Sequence, residues 1–546
     1  MASLELTGDG ARYARRTVLH AAGLAALAPF VACTRSRGRE RITGGFVGPD
    51  PARGHRLRDG VNASGPARRE DAPIVVVGAG IAGLSAAWRL ARAGVRDVRV
   101  LELEVAPGGT AAGGENAVSR FPFAAHYVPV PRREQRALCE LFAELQVIDG
   151  FDAQGRARPI ERHLLRAPGE RIFAHGRWSE GLYPRLGASA EDVRQLERFE
   201  SLCAELATRR DDLGKPWFTL PLASGSTCDE VLALDARSMA SWLAEHGFDS
   251  PRLAWFVEYA CRDDFGTLLA DTSAFAGLHY FCARGRDPAE TERYLTWPEG
   301  NAFLVRGLAR ASGAELVSGA LVHAIESDAD RAIVRWIDAH GARVETHAED
   351  VVCATPRFVA RRLVAQLAGE TLPLRSTPWV VASATLERRP EERDFPLAWD
   401  NVLFESEALG YVSATHQLDR ALRDDVWTWY RPFPSAELAA SRAAVLSLPW
   451  SAWRDALIAD LARAHPDLEE HLVTIDVARF GHGMVRPEPG FLASRAAGRW
   501  PWHAGRIVFA GTDLSGLALF EEAQWTGVRA AERVLERRGI AFESWL

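Results

Sequence analysis

The sequence predicts an α/β protein: a parallel-sheet domain assembled from separated stretches of chain, into which a mixed α+β domain is inserted. Three observations predict it. The all-apolar, β-branched run Ile74-Val75-Val76-Val77 leads directly into Gly78-Ala79-Gly80-Ile81-Ala82-Gly83. A second apolar run, Ile507-Val508-Phe509-Ala510, leads into Gly511-Thr512-Asp513 near the C-terminus. Between them helical and alternating stretches succeed one another, as in a chain that leaves a parallel sheet and returns to it.

Length and composition bound the answer. The chain has 546 residues, 47% apolar and 25% charged. That is too long for one core, and too apolar for a disordered chain. Seven Cys at irregular positions make no CxxC pair and no zinc spacing, so neither a disulfide framework nor a structural metal is expected. The net charge of −7 argues against a nucleic-acid binder. Residues 1–72 hold 12 Arg against 7 acids, a net +5 that leaves −12 on the remainder.

Taken in order, the chain opens on an address. Arg15-Arg16 precedes an apolar run that ends in Val31-Ala32-Cys33. This is the layout of a secretory signal, too short for a membrane span. Arg15-Arg16 with Leu19 resembles a twin-arginine signal, and Val31-Ala32-Cys33 resembles a lipoprotein cleavage box with Cys33 as lipid anchor. Residues 1–33 are therefore expected to export the protein to the periplasm or its membrane surface. Residues 34–72 show no helical or alternating pattern and read as a linker or an arm lying on the body.

Ile74–Val77 has the character of a strand buried on both faces. In the glycine turn that follows, Gly78 permits the tight bend and Gly80 lets backbone approach a pyrophosphate. Gly83 lets the next helix, over Leu84 to Ala93, pack on the strand. The helix N-terminus offers free N–H groups and the positive end of a dipole to phosphate. Val98-Arg99-Val100-Leu101 forms the next strand, ending at Glu102, 19 residues after Gly83. An acid there binds both ribose hydroxyls of an adenosine and disfavours a 2′-phosphate, so FAD or NAD is preferred over NADP.

The pair Gly108-Gly109 decides between them. Here the sequence resembles the flavin-containing amine oxidoreductase superfamily, which includes monoamine and polyamine oxidases, protoporphyrinogen oxidase and phytoene desaturase. In that superfamily a second glycine pair continues the FAD cradle; Thr110 stands where Arg is usual. Arg506 to Asp513 resembles the family's closing strand and turn, which implies that Gly511 and Asp513 meet the ribityl chain or the phosphates. Phe520-Glu521-Glu522-Ala523, with Gly527, Ala530 and Ala531, resembles the last helix. Its first turn, at Glu521 and Ala523, would face the flavin pyrimidine and stabilise negative charge on the reduced ring. Glu522 stands where Gly is usual. Leu321 to Ile325 resembles the strand that brings Val322 to the adenine.

The resemblance covers 73–130, 300–360 and 475–540. It implies an α/β, discontinuous Rossmann-like FAD-binding domain in three parts, 73–130, 300–360 and 476–546. The mixed α+β substrate domain is then helical over 131–299 and a sheet over 361–475. Ala190 to Leu206 carries one apolar face, and Trp379 to Leu386 has strand character.

His126, His416 and His482 are the candidate catalytic residues, as wall of the substrate site; the alternative for each is a hydrogen-bonded structural histidine. Two departures from amine-oxidase machinery stand out. The family often keeps a Lys that holds a water at flavin N5. Here the only Lys, Lys215, lies in the helical insert. An aromatic-cage Tyr is replaced by Leu519.

The expected protein is an exported flavoprotein oxidoreductase, oxidising a polyamine-like amine by hydride transfer to flavin N5. Oxygen or a membrane acceptor would restore the flavin. Two alternatives stand beside it: an FAD-dependent desaturase or isomerase of an apolar lipid-like substrate, and a flavin-binding lipoprotein with an electron-relay or assembly role.

Overall fold

The computed structural model describes residues 39–61, 68–153, 155–283, 294–369, 374–418, 423–498 and 501–546. The address segment, with Arg15, Arg16 and Cys33, lies outside these residues.

Three stretches of chain meet in one six-stranded sheet. Its order is Glu315–Ser318, Val98–Glu102, Ile74–Val77, Asp350–Cys353, Ile507–Phe509 and His503–Ala504. All pairings are parallel except the last. Ile74–Val77 is buried at every position because parallel neighbours flank it and helices cover it. On one face the helices Ile81–Arg92 and Phe520–Arg537 pack closely. Gly527 makes this possible: a Cβ there would fall 2.1 Å from the carbonyl oxygen of Ala82. Gly527→Leu is therefore expected to cost about 1–3 kcal/mol of stability through overpacking, read from a denaturant melt. On the other face a four-stranded sheet runs Leu321–Ser327, Ala332–Ile337, Arg343–Ala348, Arg68–Asp71.

The second domain is built on an eight-stranded sheet. Its order is Thr43–Val47, Leu472–Val485, Ser376–Leu386, Asp425–Pro432, Tyr411–Ser413, Asp400–Leu403, Glu170–Ala174, Arg177–Glu180. Alternation along Ser376–Leu386 sorts its side chains. Val380, Ala382, Ala384 and Leu386 pack beneath Trp453 and Leu457 of a covering helix. Trp379 and Val381 face the other way and join Tyr430, Phe480 and the chain at Phe123–Tyr127. The helices Ala190–Thr208, Pro251–Phe265 and Ala274–Cys282 form a separate core beside this face.

Four expectations are corrected. Residues 34–72 were expected to carry no pattern, yet they include the strand Thr43–Val47, the helix Pro51–Asp59 and the strand Arg68–Asp71. That helix buries none of its residues, so it has no apolar stripe for periodicity to reveal. Asp50 starts it by accepting the Ala52 N–H at 2.9 Å. The stretch 131–299 is not only helical. Glu170–Ala174 and Arg177–Glu180 form a hairpin whose turn residues, His175 and Gly176, both sit at positive φ, 51° and 81°. Within 361–475, Leu438–Ser447 and Trp450–Leu461 are helices that cover the sheet. The boundary at 475/476 cuts the strand Leu472–Val485, which belongs to the eight-stranded sheet throughout.

Candidate active site

The glycine turns form a trough of bare backbone. Gly78, at φ +100°, donates its N–H to Leu101 O at 2.8 Å and bends the chain off the strand. Gly83 packs tightly, since a Cβ would lie 1.9 Å from Gly78 O. Gly80 is the opposite case. It caps the helix Ile81–Arg92, and a Cβ there would meet nothing within 4 Å. The second turn lies alongside: Gly108 N–H donates to Ala79 O at 2.9 Å, and Gly109 faces only Gly80 Cα, 3.7 Å from where its Cβ would be.

Glu102 closes one end of the trough. It is 7% exposed, and its carboxylate accepts N–H groups from Ala79 at 2.7 Å and Glu104 at 2.8 Å. Burial raises its pKa above the usual carboxylate value, against the pull of those hydrogen bonds. Val322 is buried on Leu321–Ser327. At the other end Gly511, at φ +139°, donates its N–H to Thr526 Oγ1 at 3.0 Å. Asp513 accepts the Arg357 N–H at 2.6 Å, and burial raises its pKa. Glu521 and Ala523 lie in the first turn of Phe520–Arg537. Two buried polar atoms at this turn, Glu522 Oε2 and Gln524 Nε2, lack a hydrogen-bond partner among the described residues. Glu522 is fully buried and its pKa is pushed up to about 7 by desolvation.

These features fit FAD. The space opposite Gly80 is the space a pyrophosphate needs, at a helix N-terminus. A buried acid stands at the ribose position, and the first turn of the closing helix, with Glu521 and Ala523, follows the turn at Gly511 and Asp513.

A second group of residues adjoins this trough. Phe123 N–H donates to Ala112 O at 2.9 Å and Ala125 N–H to Thr110 O at 3.0 Å, which lays residues 123–126 beside the second glycine turn. His126 follows. Its Nδ1 lies 3.1 Å from Ala124 O, which makes Nδ1 the protonated nitrogen and leaves Nε2 as an acceptor. Burial pushes its pKa down to about 4, so the ring is neutral at pH 7. Around it stand Tyr430, Tyr127 and Trp399, with ring centroids 4.7, 5.2 and 5.3 Å away. The Tyr430 hydroxyl is buried without a partner among the described residues, as is Trp379 Nε1.

Next to Trp399 comes Asp400, which accepts the Tyr259 hydroxyl at 3.4 Å. It makes no ion pair with any described residue. Burial raises its pKa well above the usual value, and the negative charges of Glu170 and Asp263 add to that.

The three candidate histidines are not brought together. His126 lies among the aromatic rings. His416 places Nε2 2.9 Å from Arg166 O. His482 stacks on Phe358 at 4.1 Å, in contact with none of the rings around His126. Burial, with Arg442 and His55 nearby, pushes its pKa down to about 4. Sequence reasoning did not select Asp400, Tyr259, Tyr430 or Trp379 as site residues. Their signal was weak: aromatic residues in strands are usually core. Lys215 is exposed on the helical insert, and Leu519 caps the closing helix.

Comparison with known proteins agrees with this geometry. A family model described as flavin containing amine oxidoreductase matches residues 81–535. A triple mutant of putrescine oxidase superposes with a TM-score of 0.63 at 18% identity, covering 86% of this chain and 100% of that one. Cyclohexylamine oxidase from Brevibacterium oxydans gives 0.60 at 18% identity, with coverage of 86% and 100%. An Exiguobacterium protein described as a protoporphyrinogen oxidase gives 0.56 at 15% identity, with coverage of 86% and 99%. No curated protein matches the sequence.

Proposed function

Because the chain belongs to the flavin-containing amine oxidoreductase family, with FAD as its cofactor, we propose that it oxidises an amine carrying a second cationic group, such as a diamine or polyamine. The observation that supports this reading is the juxtaposition of Asp400 with the aromatic box around His126. Asp400 is half-buried and desolvated without a cation beside it, and an ammonium group of the substrate would relieve the cost of its charge. The faces of Trp399 and Tyr430 attract the same charge and exclude water from it.

FAD supplies the acceptor for the hydride removed from the carbon beside nitrogen. The chain's own residues do the rest. Nε2 of the neutral His126 accepts an N–H of the reacting amine and orients its lone pair. Asp400, helped by the Tyr259 hydroxyl, holds the distal ammonium and so fixes the distance between the two nitrogens. The imine product leaves and hydrolyses. A relative of the same fold, putrescine oxidase, has been solved bound to putrescine.

Anaerobic mixing with diamines, monoamines and polyenes tests the reading. Diamines are expected to bleach the flavin fastest. Bleaching by polyenes but by no amine would overturn it in favour of a lipid desaturase. Absence of bleaching by every donor would favour an electron-relay role.

The address segment supports export of the folded holoprotein by the twin-arginine route, with Cys33 as lipid anchor and oxygen or a membrane carrier as electron acceptor. Arg15→Lys with Arg16→Lys is then expected to strand yellow protein in the cytoplasm, seen by fractionation. Normal periplasmic accumulation of the double variant would reject that route.

A further inference from the structure

We propose that residues 43–59 form a strap over the dinucleotide trough, which lifts to let FAD in or out and otherwise retains it. The family model matches residues 81–535, so this segment lies outside the matched residues.

The path of the segment carries the inference. It starts on the substrate domain, where Thr43–Val47 pairs in parallel with Thr474–Ala478. It then passes the strand beside the second glycine turn: a Cβ on Gly48 would lie 3.4 Å from the Phe123 ring and 3.5 Å from Ala478 Cβ. Next it reaches Leu103 and Glu104, which follow the ribose acid. Asp50 N–H donates to Glu104 Oε1 at 3.0 Å, and Glu104 N–H in turn donates to Glu102 Oε1 at 2.8 Å. An Arg53 guanidinium N–H donates to Leu103 O at 3.4 Å. Finally Leu57 packs on the cluster that holds Val77, Leu101 and Val322. One short segment thus touches the chain beside the glycine turns, the two residues that follow the ribose acid, and the cluster that holds the adenine strand, in succession.

Its ends are fastened by strand pairing and its middle only by a few contacts. At the first end Arg39 pairs with Glu469 at 3.1 Å and Arg41 donates to the Glu469 and Glu470 carbonyls at 2.8 and 2.6 Å. Gly44, at φ +136°, lets the strands close, since a Cβ there would lie 2.0 Å from Ile475 O. Beyond the helix, Arg68–Asp71 pairs with Val344–His347, and Glu70 is bridged to Arg99. Between these anchors the helix Pro51–Asp59 has no buried residue and rests on the two hydrogen bonds and Leu57. Such a span opens locally without unfolding the domains that hold it.

A strap differs kinetically from a wall. A wall contact slows departure of the ligand; a strap slows entry and departure alike. The test measures both rates on the full chain, from the fluorescence of FAD released on dilution and its quenching on rebinding to apoprotein. Gly44→Val, which breaks the first anchor, is expected to raise both rates by about tenfold or more. Arg53→Ala with Leu57→Ala leaves the anchors intact and is expected to raise both by a smaller factor. If Gly44→Val does not fold, the double variant decides. Trypsin adds an independent readout: cleavage after Arg53, Arg56 and Arg58 is expected to be faster in apoprotein than in holoprotein. Unchanged rates in the double variant, or a rise in dissociation alone, would overturn the strap.

Discussion

Gly80→Glu is expected to give a folded, colourless protein. Both halves of that outcome follow from the same local geometry. A Cβ at Gly80 meets nothing within 4 Å, so the apoprotein has room for the new side chain. The room it takes is that of the pyrophosphate, at the N-terminus of Ile81–Arg92. A carboxylate there competes for the same N–H groups and repels the phosphates in a weakly screened site. Loss of at least about a thousandfold in FAD affinity is expected. The checks are visible flavin absorbance of the purified protein and its unfolding midpoint with FAD omitted. Gly83→Val is the contrast. Its Cβ would lie 1.9 Å from Gly78 O and 3.2 Å from Ala354 Cβ, so it is expected to lower the stability of the apoprotein itself. A yellow Gly80→Glu protein would mean that the phosphates do not lie against this turn.

What was legible in the sequence follows from how far each signal reaches along the chain. The cofactor trough is written locally. Gly78 to Gly83 sit between a strand and a helix that are adjacent in sequence, and Glu102 ends the next strand. Burial on both faces forces Ile74–Val77 to be apolar throughout, so the strand announces itself.

The aromatic box is different. His126 comes from the first FAD segment, Tyr259 from a helix of the insert, and Asp400 and Tyr430 from separate strands of the sheet. No spacing joins them, and Trp427, Trp429 and Tyr430 sit on one strand, of which only Tyr430 turns to the box. Which of three neighbouring rings faces the site depends on the pairing register, which sequence does not display. His416 and His482 show the converse. A histidine in an apolar stretch looks the same whether it holds a carbonyl, as His416 does, or lines a pocket. The arm escaped notice because its helix buries no residue and its strands pair with partners hundreds of positions away.

Asp400→Asn carries the largest expected effect on the substrate itself. In the resting protein Asp400 is half-buried, and desolvation with the charges of Glu170 and Asp263 raises its pKa. The folded chain therefore binds this proton more tightly than the unfolded chain does. Its contribution to stability is present at low pH and declines as pH rises from the ordinary carboxylate range through the raised pKa. A substrate ammonium reverses the preference, because it favours the ionised carboxylate. Binding of a diamine should thus tighten as pH rises through the titration of Asp400 and should release a proton. His126, already neutral above about 4, contributes no further change in that range. Asn keeps the shape and removes the charge. For a diamine kcat/KM is expected to fall about 100-fold, within the 2–5 kcal/mol seen when one partner of a buried charge pair is truncated. For a monoamine of equal length the change should be small, since its far end carries no cation for Asp400 to pair with. The Asn variant should also lose the pH dependence of diamine binding, measured by anaerobic titration of the flavin spectrum. Equal losses for both substrates would place Asp400 in the scaffold. A loss confined to the diamine places the second cation beside Trp399 and Tyr430, and sets the length of the substrate by the distance from Asp400 to His126.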